Sequence, residues 1–193
     1  IYNAMNKGIK YANGEYINFM NAGDSFHTPA VLEDIFVKKK YSSDILYGDE
    51  YMEYKDAVFY IPQKIDKYFL INNTVRHASS FIKSTLFVKY GAYSEEYKIV
   101  SDYEKFIVFF LHHCKYKYVP VVIANYKGKG ISGVKSPFYK LHKQERAAVI
   151  NRYFSQKDIK RAVESLLPKV PDYFFTIEAS STGKYHPEYA QGE

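Results

Sequence analysis

Segments with helical and strand-like patterns alternate along most of this 193-residue chain, and this alternation constrains the fold more than any other feature. In the first segment, apolar residues recur at steps of three and four up to Ala12, which predicts a short helix that Gly14 ends. Residues 15–20 then alternate apolar with polar side chains and predict a strand that runs into a polar loop, residues 21–25. Strands that alternate with helices in this way predict an α/β domain.

The remaining elements are predicted by the same rules. The patterns indicate strands over residues 44–47, 57–61 and 116–126, and helices over residues 65–72, 84–90, 138–154 and 158–167. A further helix is expected to start at Thr28-Pro29 and to fade into the lysines 38–40. The polar segment 48–50 is expected to separate two strands. Ser101 and Glu104 have the spacing of a capping box, which predicts a helix that begins at Ser101.

Composition places the chain among ordinary globular proteins, because 47% of its residues are hydrophobic and 25% are charged. Cys114 is the single cysteine, so an internal disulfide is excluded and we expect a reducing, cytoplasmic setting. No apolar run reaches the ~20 residues of a membrane-spanning helix. We expect one domain over residues 1–155, followed by a helix and a tail over residues 156–193.

The charge balance favours some partners over others. The chain has 27 Lys and Arg against 21 Asp and Glu, a net charge of +6, together with 21 Tyr. Basic and aromatic residues together suit phosphate-rich or sugar-rich partners. The acids are interspersed with the lysines and leave no basic stripe, which argues against a nucleic-acid binder. Association with the inner face of an anionic membrane is compatible with the same charge.

Asp24 is the first residue with a candidate chemical role. It lies in a loop after a strand, which is where α/β folds bind ligands. A carboxylate there can hold Mg²⁺ or Mn²⁺ against a diphosphate, because both ions prefer hard oxygen ligands. The structural alternative is that Asn21 and Asp24 are turn residues whose side chains bond their own backbone, and spacing alone favours it.

Asp102 is the second candidate, because it opens a helix close to any site built at this end of the domain. A positioned carboxylate can act as a general base and deprotonate an acceptor hydroxyl. The structural alternative is again strong, since an acid in the first turn of a helix is favoured by the helix dipole.

Two further features carry less specific signals. The loop 127–132 combines glycines with two ammonium groups, one of them that of Lys129, and both properties suit a diphosphate leaving group. The loop matches neither the P-loop nor the dinucleotide-binding pattern. His77 is placed to contact a substrate. The adjacent histidines 112 and 113 point to different faces of a helix, so we do not expect them to share a metal ion.

Six segments, taken in order, resemble the family 2 glycosyltransferases of the Rossmann-like GT-A fold, in particular the bacterial enzymes of colanic acid and capsule biosynthesis. They are Ile1–Ile9, Ala12–Asp24, Tyr47-Gly48-Asp49, His77–Ile82, Ser101–Glu104 and Gly130-Ile131-Ser132. Each segment is weak by itself, but six in the right order are specific. The resemblance covers roughly residues 1–135.

This resemblance implies an inverting transferase of hexosyl type, which moves a sugar from a nucleotide-sugar donor to a hydroxyl of a glycan or lipid-linked acceptor in polysaccharide biosynthesis. Asp24 falls at the position of the family's metal-binding acid, and Asp102 at that of its catalytic base. The resemblance places on the donor side Asn6, Lys7, Gly8 and Asn21, and in the cleft Asp49, His77, Lys129 and Ser132.

The chain also departs from the family's pattern. Asn3 stands where the family usually has Asp, and the segment 21–24 holds a single acid where the metal motif often has more. The family's nucleotide-binding half is expected to precede Ile1, so the domain is expected to be truncated at its N-terminus. Residues 162–193 resemble the opening of an HD-type phosphohydrolase domain, to which we assign no activity. The alternative to a transferase is a non-catalytic fragment that binds a glycan or a nucleoside diphosphate.

Overall fold

The computed structural model describes residues 1–37, 39–128, 130–131, 133 and 135–166. In this part of the chain the helices are α1 (Tyr2–Tyr11), α2 (Val31–Phe36), α3 (Lys67–Asn72), α4 (Ser84–Tyr90), α5 (Ser101–Leu111), α6 (Tyr139–Tyr153) and α7 (Gln156–Glu164). The strands are β1 (Tyr16–Ile17), β2 (Ser25–Phe26), β3 (Ile45–Met52), β4 (Ala57–Phe59), β5 (Ser80–Lys83) and β6 (Tyr116–Tyr126). The α/β class predicted from the sequence is therefore confirmed.

The strands form one mixed sheet in the order β1-β5-β3-β6-β2, and β4 pairs with the end of β3. β3 runs parallel to β6, whereas β5 is antiparallel to both β1 and β3. The first six residues of β3 are buried without a break. A buried run of this kind is typical of a strand that is covered on both faces.

Two hydrophobic clusters cover the two faces of the sheet. Ile45 and Tyr47 point into the larger cluster and Leu46 into the smaller one, as the alternation of side chains along a strand requires. The larger cluster also contains Ile159 and Ala162 of α7. The helix that follows residue 155 thus packs on the same core as the residues before it, while the division of the chain at that position stays a prediction.

The segment Gly48-Asp49-Glu50, predicted to separate two strands, is instead part of β3. Its polarity is accommodated by distant partners: the carboxylate of Asp49 accepts hydrogen bonds from the Ile61 backbone N–H at 2.9 Å and from the Tyr118 hydroxyl at 2.7 Å. A side chain at Gly48 would collide with a backbone oxygen of β6. Neither compensation is visible in the local pattern, which is why the strand prediction was too short.

The helix predicted at Ser101 is confirmed, but the capping box is wrong. The N-cap is Val100, so Ser101 lies inside the first turn and its Oγ is buried with no hydrogen-bond partner among the described residues. Glu104 accepts a hydrogen bond from the Tyr153 hydroxyl at 2.8 Å and lies 3.6 Å from the guanidinium of Arg152. The side chain of Glu104 therefore contacts α6 instead of capping the start of α5.

Other predicted elements exist but are shorter than expected. The strand predicted over residues 15–20 ends at Ile17, because the side-chain amide of Asn18 donates to the carbonyls of Ala78 and Ser80 at 2.9 and 2.8 Å. The helix expected from Thr28 begins only at Val31. No helix among the described residues is long and apolar enough to cross a membrane.

Candidate active site

The candidate site forms where the ends of β1 and β3 meet the segment before β5. Because β5 is antiparallel to both strands, residues that precede β5 lie beside the residues that follow β1 and end β3. This arrangement brings together the turn 21–24, Glu50 and His77. The first turn of α5 adds Asp102, so four separate parts of the chain contribute side chains.

The turn after β1 is closed by its own backbone. The N–H of Asp24 donates to the carbonyl of Asn21 at 3.0 Å, and Gly23 adopts a φ of 99°, a value that favours glycine. The side chain of Asn21 is directed elsewhere: its amide nitrogen lies 2.9 Å from Nε2 of His77. The turn therefore presents its polar side chains to the site.

Asp102 has a partner on each carboxylate oxygen. Its Oδ2 lies 2.8 Å from Nδ1 of His77, and its Oδ1 accepts a hydrogen bond from the Tyr2 hydroxyl at 2.7 Å. That hydroxyl also lies 2.6 Å from the carbonyl oxygen of Ile99. The side chains of His77 and Asp102 are 22% and 17% exposed, so the pair is largely buried but still reached by solvent.

The two groups shift each other's pKa in opposite directions. Burial acts to raise the pKa of Asp102, but the hydrogen bond and charge of His77, with the bond from Tyr2, outweigh it and lower that pKa. Burial likewise acts to lower the pKa of His77, but the hydrogen bond and charge of Asp102, helped by Glu50 and Asp24, raise it above 6.5. At pH values below that raised pKa, the pair is an imidazolium and a carboxylate.

Asp24 lies at the edge of this cluster, beside β6. Burial raises its pKa, and the backbone N–H of Lys127 and the charge of His77 act in the opposite direction. No group of three or more His, Cys, Asp or Glu in the described ranges is arranged to hold a metal ion. The carboxylate of Asp24 suits one coordination position of Mg²⁺ or Mn²⁺, because a cation would stabilise its charged form, which burial disfavours. Phosphate oxygens and water would complete the coordination.

Sequence reasoning missed Glu50 and Tyr2. Glu50 is 3% exposed, burial raises its pKa, and its carboxylate lies 3.6 Å from Nε of Arg76, whose charge opposes that rise. An acidic residue within a run of apolar strand residues could have identified Glu50, because a buried carboxylate is costly unless a charged or hydrogen-bonding partner compensates it. Tyr2 shares an apolar helical face, and nothing local distinguishes it from a core residue.

The other predicted site residues lie in different settings. The amide of Asn6 bonds the backbone of Tyr93 and a carboxylate oxygen of Glu95, which ties α1 to the loop before α5. Lys7 and Gly8 are exposed on α1. The carboxylate of Asp49 accepts hydrogen bonds from the backbone N–H of Ile61 and the hydroxyl of Tyr118. The predicted cleft residues that fall outside the described part of the chain are Lys129 and Ser132.

The sequence is similar to glycosyltransferases, although no family model matches the chain. It is 28% identical over 133 residues to a PGL/p-HBAD biosynthesis glycosyltransferase of Mycobacterium bovis, a match that covers 67% of this chain and 52% of that protein. It is also 28% identical over 141 residues to an uncharacterized glycosyltransferase of Mycobacterium tuberculosis, with 70% and 53% coverage. The chain thus spans about half the length of the curated relatives it matches.

The fold is similar to that of a protein of known structure, S. aureus TarS. The crystal structure of S. aureus TarS 1-349 superimposes with a TM-score of 0.54 at 14% identity, covering 86% of this chain and 50% of that one. The same fragment in complex with UDP-GlcNAc gives a TM-score of 0.50 at 15% identity, with 84% and 50% coverage. These likenesses support the mixed α/β architecture.

Proposed function

We propose that this chain is the acid–base part of a glycosyltransferase that moves a sugar from a nucleotide-sugar donor to an acceptor hydroxyl in polysaccharide biosynthesis. The observation that carries the proposal is the continuous line of contacts from Asn21 through His77 to Asp102, with Asp24 beside it. It occurs in a chain whose sequence relatives are glycosyltransferases. The domain is proposed to be of the GT-A type and to invert the anomeric carbon.

The chemistry follows from these side chains. The His77–Asp102 pair removes the proton of the acceptor hydroxyl, whose oxygen then attacks the anomeric carbon from the side opposite the diphosphate. The bond between that carbon and the diphosphate breaks, and its electron pair remains on the diphosphate oxygen. A Mg²⁺ or Mn²⁺ ion held by Asp24 would offset the negative charge on this leaving group.

The remaining site assignments stay predictions. Lys7 and Gly8 are exposed and are proposed to line the donor side, whereas the bonds of Asn6 indicate that it supports the shape of that side. Asp49, which bonds Ile61 and Tyr118, is proposed to support the cleft from within β3. The assignment of Lys129 and Ser132 to the cleft remains a prediction, because both lie outside the described part of the chain.

The donor and the acceptor are proposed by class. S. aureus TarS is described in complex with UDP-GlcNAc, so UDP-sugars are the first donors to test. The acceptor is proposed to be a glycan or a lipid-linked sugar. That acceptor would place the protein in the cytoplasm, at the inner face of the membrane.

The test is release of UDP from UDP-GlcNAc by the purified chain in the presence of Mg²⁺ or Mn²⁺. We expect Asp102→Asn to reduce the rate by about 100-fold or more, the usual effect of losing acid–base catalysis. The control is His113→Asn, because His113 is exposed beyond the far end of α5 and its positive φ of 56° suits asparagine. Binding of UDP-GlcNAc without release of UDP would overturn the transferase and favour a non-catalytic binding fragment. Equal rates of UDP release in Asp102→Asn and His113→Asn would have the same consequence.

A further inference from the structure

We propose that Tyr54 is a positioning residue that holds Lys127 against the turn of Asp24, where the Lys127 ammonium binds the diphosphate of the donor. Tyr54 lies at the tip of the β3–β4 hairpin, in the helical turn Glu53–Lys55. The inference rests on the proposed transferase function, because it concerns the donor of that reaction. It is carried by the packing of the Tyr54 ring on the backbone that follows β6.

The first step is the contact between the Tyr54 ring and Gly128, which follows the end of β6 by two residues. A Cβ built on Gly128 would collide with Cγ and Cδ1 of Tyr54, so the ring lies directly on the bare backbone. Gly128 also has a φ of 78°, a conformation that residues with a side chain rarely adopt. The ring and the backbone conformation thus both require glycine at this position.

The second step is the support beneath the Tyr54 ring. It meets the ring of Tyr126 edge to face, with the centroids 6.1 Å apart, which is a favourable geometry for aromatic pairs. A Cβ built on Gly130 would lie 2.8 Å from the Tyr126 hydroxyl, so the same loop also covers this second ring. Tyr126 ends β6 and pairs with Met52 of β3. The two rings therefore tie the backbone at residues 128 and 130 to the sheet.

The third step is the position of Lys127 beside the candidate site. β2 and β6 are antiparallel with Ser25 opposite Asn125, and this register, continued by two residues, brings Lys127 to the turn of Asp24. A Cβ built on Gly23 would lie 3.9 Å from Cδ of Lys127, so the lysine side chain follows the turn. The backbone N–H of Lys127 acts on the carboxylate of Asp24, where it opposes the effect of burial on the pKa. Both the backbone and the side chain of Lys127 therefore lie against this turn.

The ammonium of Lys127 adds a cationic group to the side of the site where Asp24 lies. Asp24 suits one coordination position of Mg²⁺ or Mn²⁺, and such ions share phosphate oxygens with their protein ligands. Lys127 is exposed and its side chain follows the same turn, so its ammonium reaches a diphosphate bound there. It would stabilise the negative charge of the diphosphate as a point charge. Displacement of Lys127 is therefore expected to weaken the use of the donor.

The ring of Tyr54, and not its hydroxyl, makes the contacts that matter here. The hydroxyl donates to the sulfur of Met52 at 3.7 Å, and a thioether is a weak acceptor. Tyr54→Phe should therefore keep the position of the loop. Tyr54 is 55% exposed, so Tyr54→Ala should leave the core intact. Tyr60→Ala is the matched control, since Tyr60 follows β4 in the same hairpin and is 74% exposed.

The first test measures hydrogen exchange at the backbone amide of Lys127 by NMR in the intact chain, without any ligand. We expect exchange about tenfold faster in Tyr54→Ala, because the backbone loses the ring that holds it and opens more often. Tyr54→Phe and Tyr60→Ala should exchange at the wild-type rate. Unchanged exchange in Tyr54→Ala, or equal acceleration in Tyr60→Ala, would overturn the proposal.

The second test compares kcat/KM for UDP release from UDP-GlcNAc in a double-mutant cycle. We expect Tyr54→Ala and Lys127→Met each to lower kcat/KM about tenfold, the effect of losing one charge-assisted contact. Because Tyr54 acts through Lys127, the variant with both substitutions should be no slower than Lys127→Met alone. Additive losses would overturn the positioning role, because they would indicate that Tyr54 acts independently of Lys127.

A control for charge completes the second test. Lys55→Met removes an exposed ammonium that lies 5.6 Å from the centre of the Tyr54 ring, and it should keep the wild-type kcat/KM. An equal loss in Lys55→Met and Lys127→Met would overturn the specific role of Lys127, because net charge alone would then explain both.

The outcomes separate this inference from the proposed function. Undiminished kcat/KM in Lys127→Met, in a chain whose wild type releases UDP, overturns the inference and leaves the transferase in place. A wild-type chain that releases no UDP overturns the transferase, and the role of the Lys127 ammonium falls with it. Hydrogen exchange still decides in that case whether the Tyr54 ring holds the backbone after β6.

Discussion

At the scale of single residues, the pairing of His77 with Asp102 links the chemistry of the site to the stability of the chain. Because folding raises the pKa of His77, its contribution to stability is complete below its ordinary value of 6.5 and is lost as the pH rises through the folded-state value. Because folding lowers the pKa of Asp102, its contribution is complete above 3.8 and is lost only as the pH falls through the lower folded-state value. The pair is therefore most stabilising between these limits.

The prediction is that the free energy of unfolding decreases as the pH rises above 6.5 and through the raised folded-state pKa of His77, and that His77→Asn removes most of this decrease. Urea denaturation across this range measures the effect. His113→Asn should keep the wild-type slope, since His113 is exposed and remote from Asp102. A slope that is the same in wild type and His77→Asn would show that other groups cause the pH dependence.

At the scale of elements, α6 holds the segment that leads into α5. The carboxylate of Glu145 accepts hydrogen bonds from the backbone N–H groups of Lys98 and Ile99, both at 2.9 Å. The carbonyl of Ile99 in turn faces the Tyr2 hydroxyl that bonds Asp102. A residue far along the sequence therefore holds the segment that leads into the end of α5 where Asp102 lies.

We expect Glu145→Ala to lower the free energy of unfolding by about 2 kcal/mol, because it leaves two backbone donors without a charged acceptor. Hydrogen exchange at the amides of Lys98 and Ile99 should become faster in this variant. Gln144→Ala is the matched control, since Gln144 is the exposed neighbour in the same helix. Unchanged exchange at both amides would show that Glu145 does not hold this segment.

The same scale shows which elements a sequence pattern can predict. The predicted bounds of α4 and β6 agree with the observed ones, because the apolar residues of both elements are local signals. The glycine that follows α4 is a further local signal of where that helix ends. β3 was predicted too short, because the partners that satisfy Asp49 come from beyond β4 and from β6. The line from Asn21 through His77 to Asp102 depends on sheet order, which no local spacing reveals.

At the scale of the whole molecule, α7 joins the end of the described chain to its middle. Asn72 of α3 donates to the carbonyl of Ala162 at 3.0 Å, and the Lys67 ammonium lies 2.5 Å from the carboxylate of Asp158. Ile159 is 9% exposed and Ala162 is fully buried in the larger cluster. These contacts allow the predicted division at residue 155 to be tested.

We expect a chain that ends after Ser155 to unfold with a free energy about 3 kcal/mol lower than a chain that ends after Leu166, because the shorter one loses a buried isoleucine and its surroundings. Urea denaturation of the two truncated chains measures the difference. Equal stability would support a domain that ends at residue 155 and would show that α7 contributes little to the core.

Because acidic groups surround His77, the pH at which the folded chain is most stable differs from the pH at which the ring can accept a proton. Below its pKa, the ring already carries two protons and completes an ion pair with Asp102, so the folded chain is best protected while the ring can accept no further proton. Above that pKa the ring can accept a proton, but the ion pair is lost. The pH for storing this protein and the pH for assaying it are therefore expected to differ.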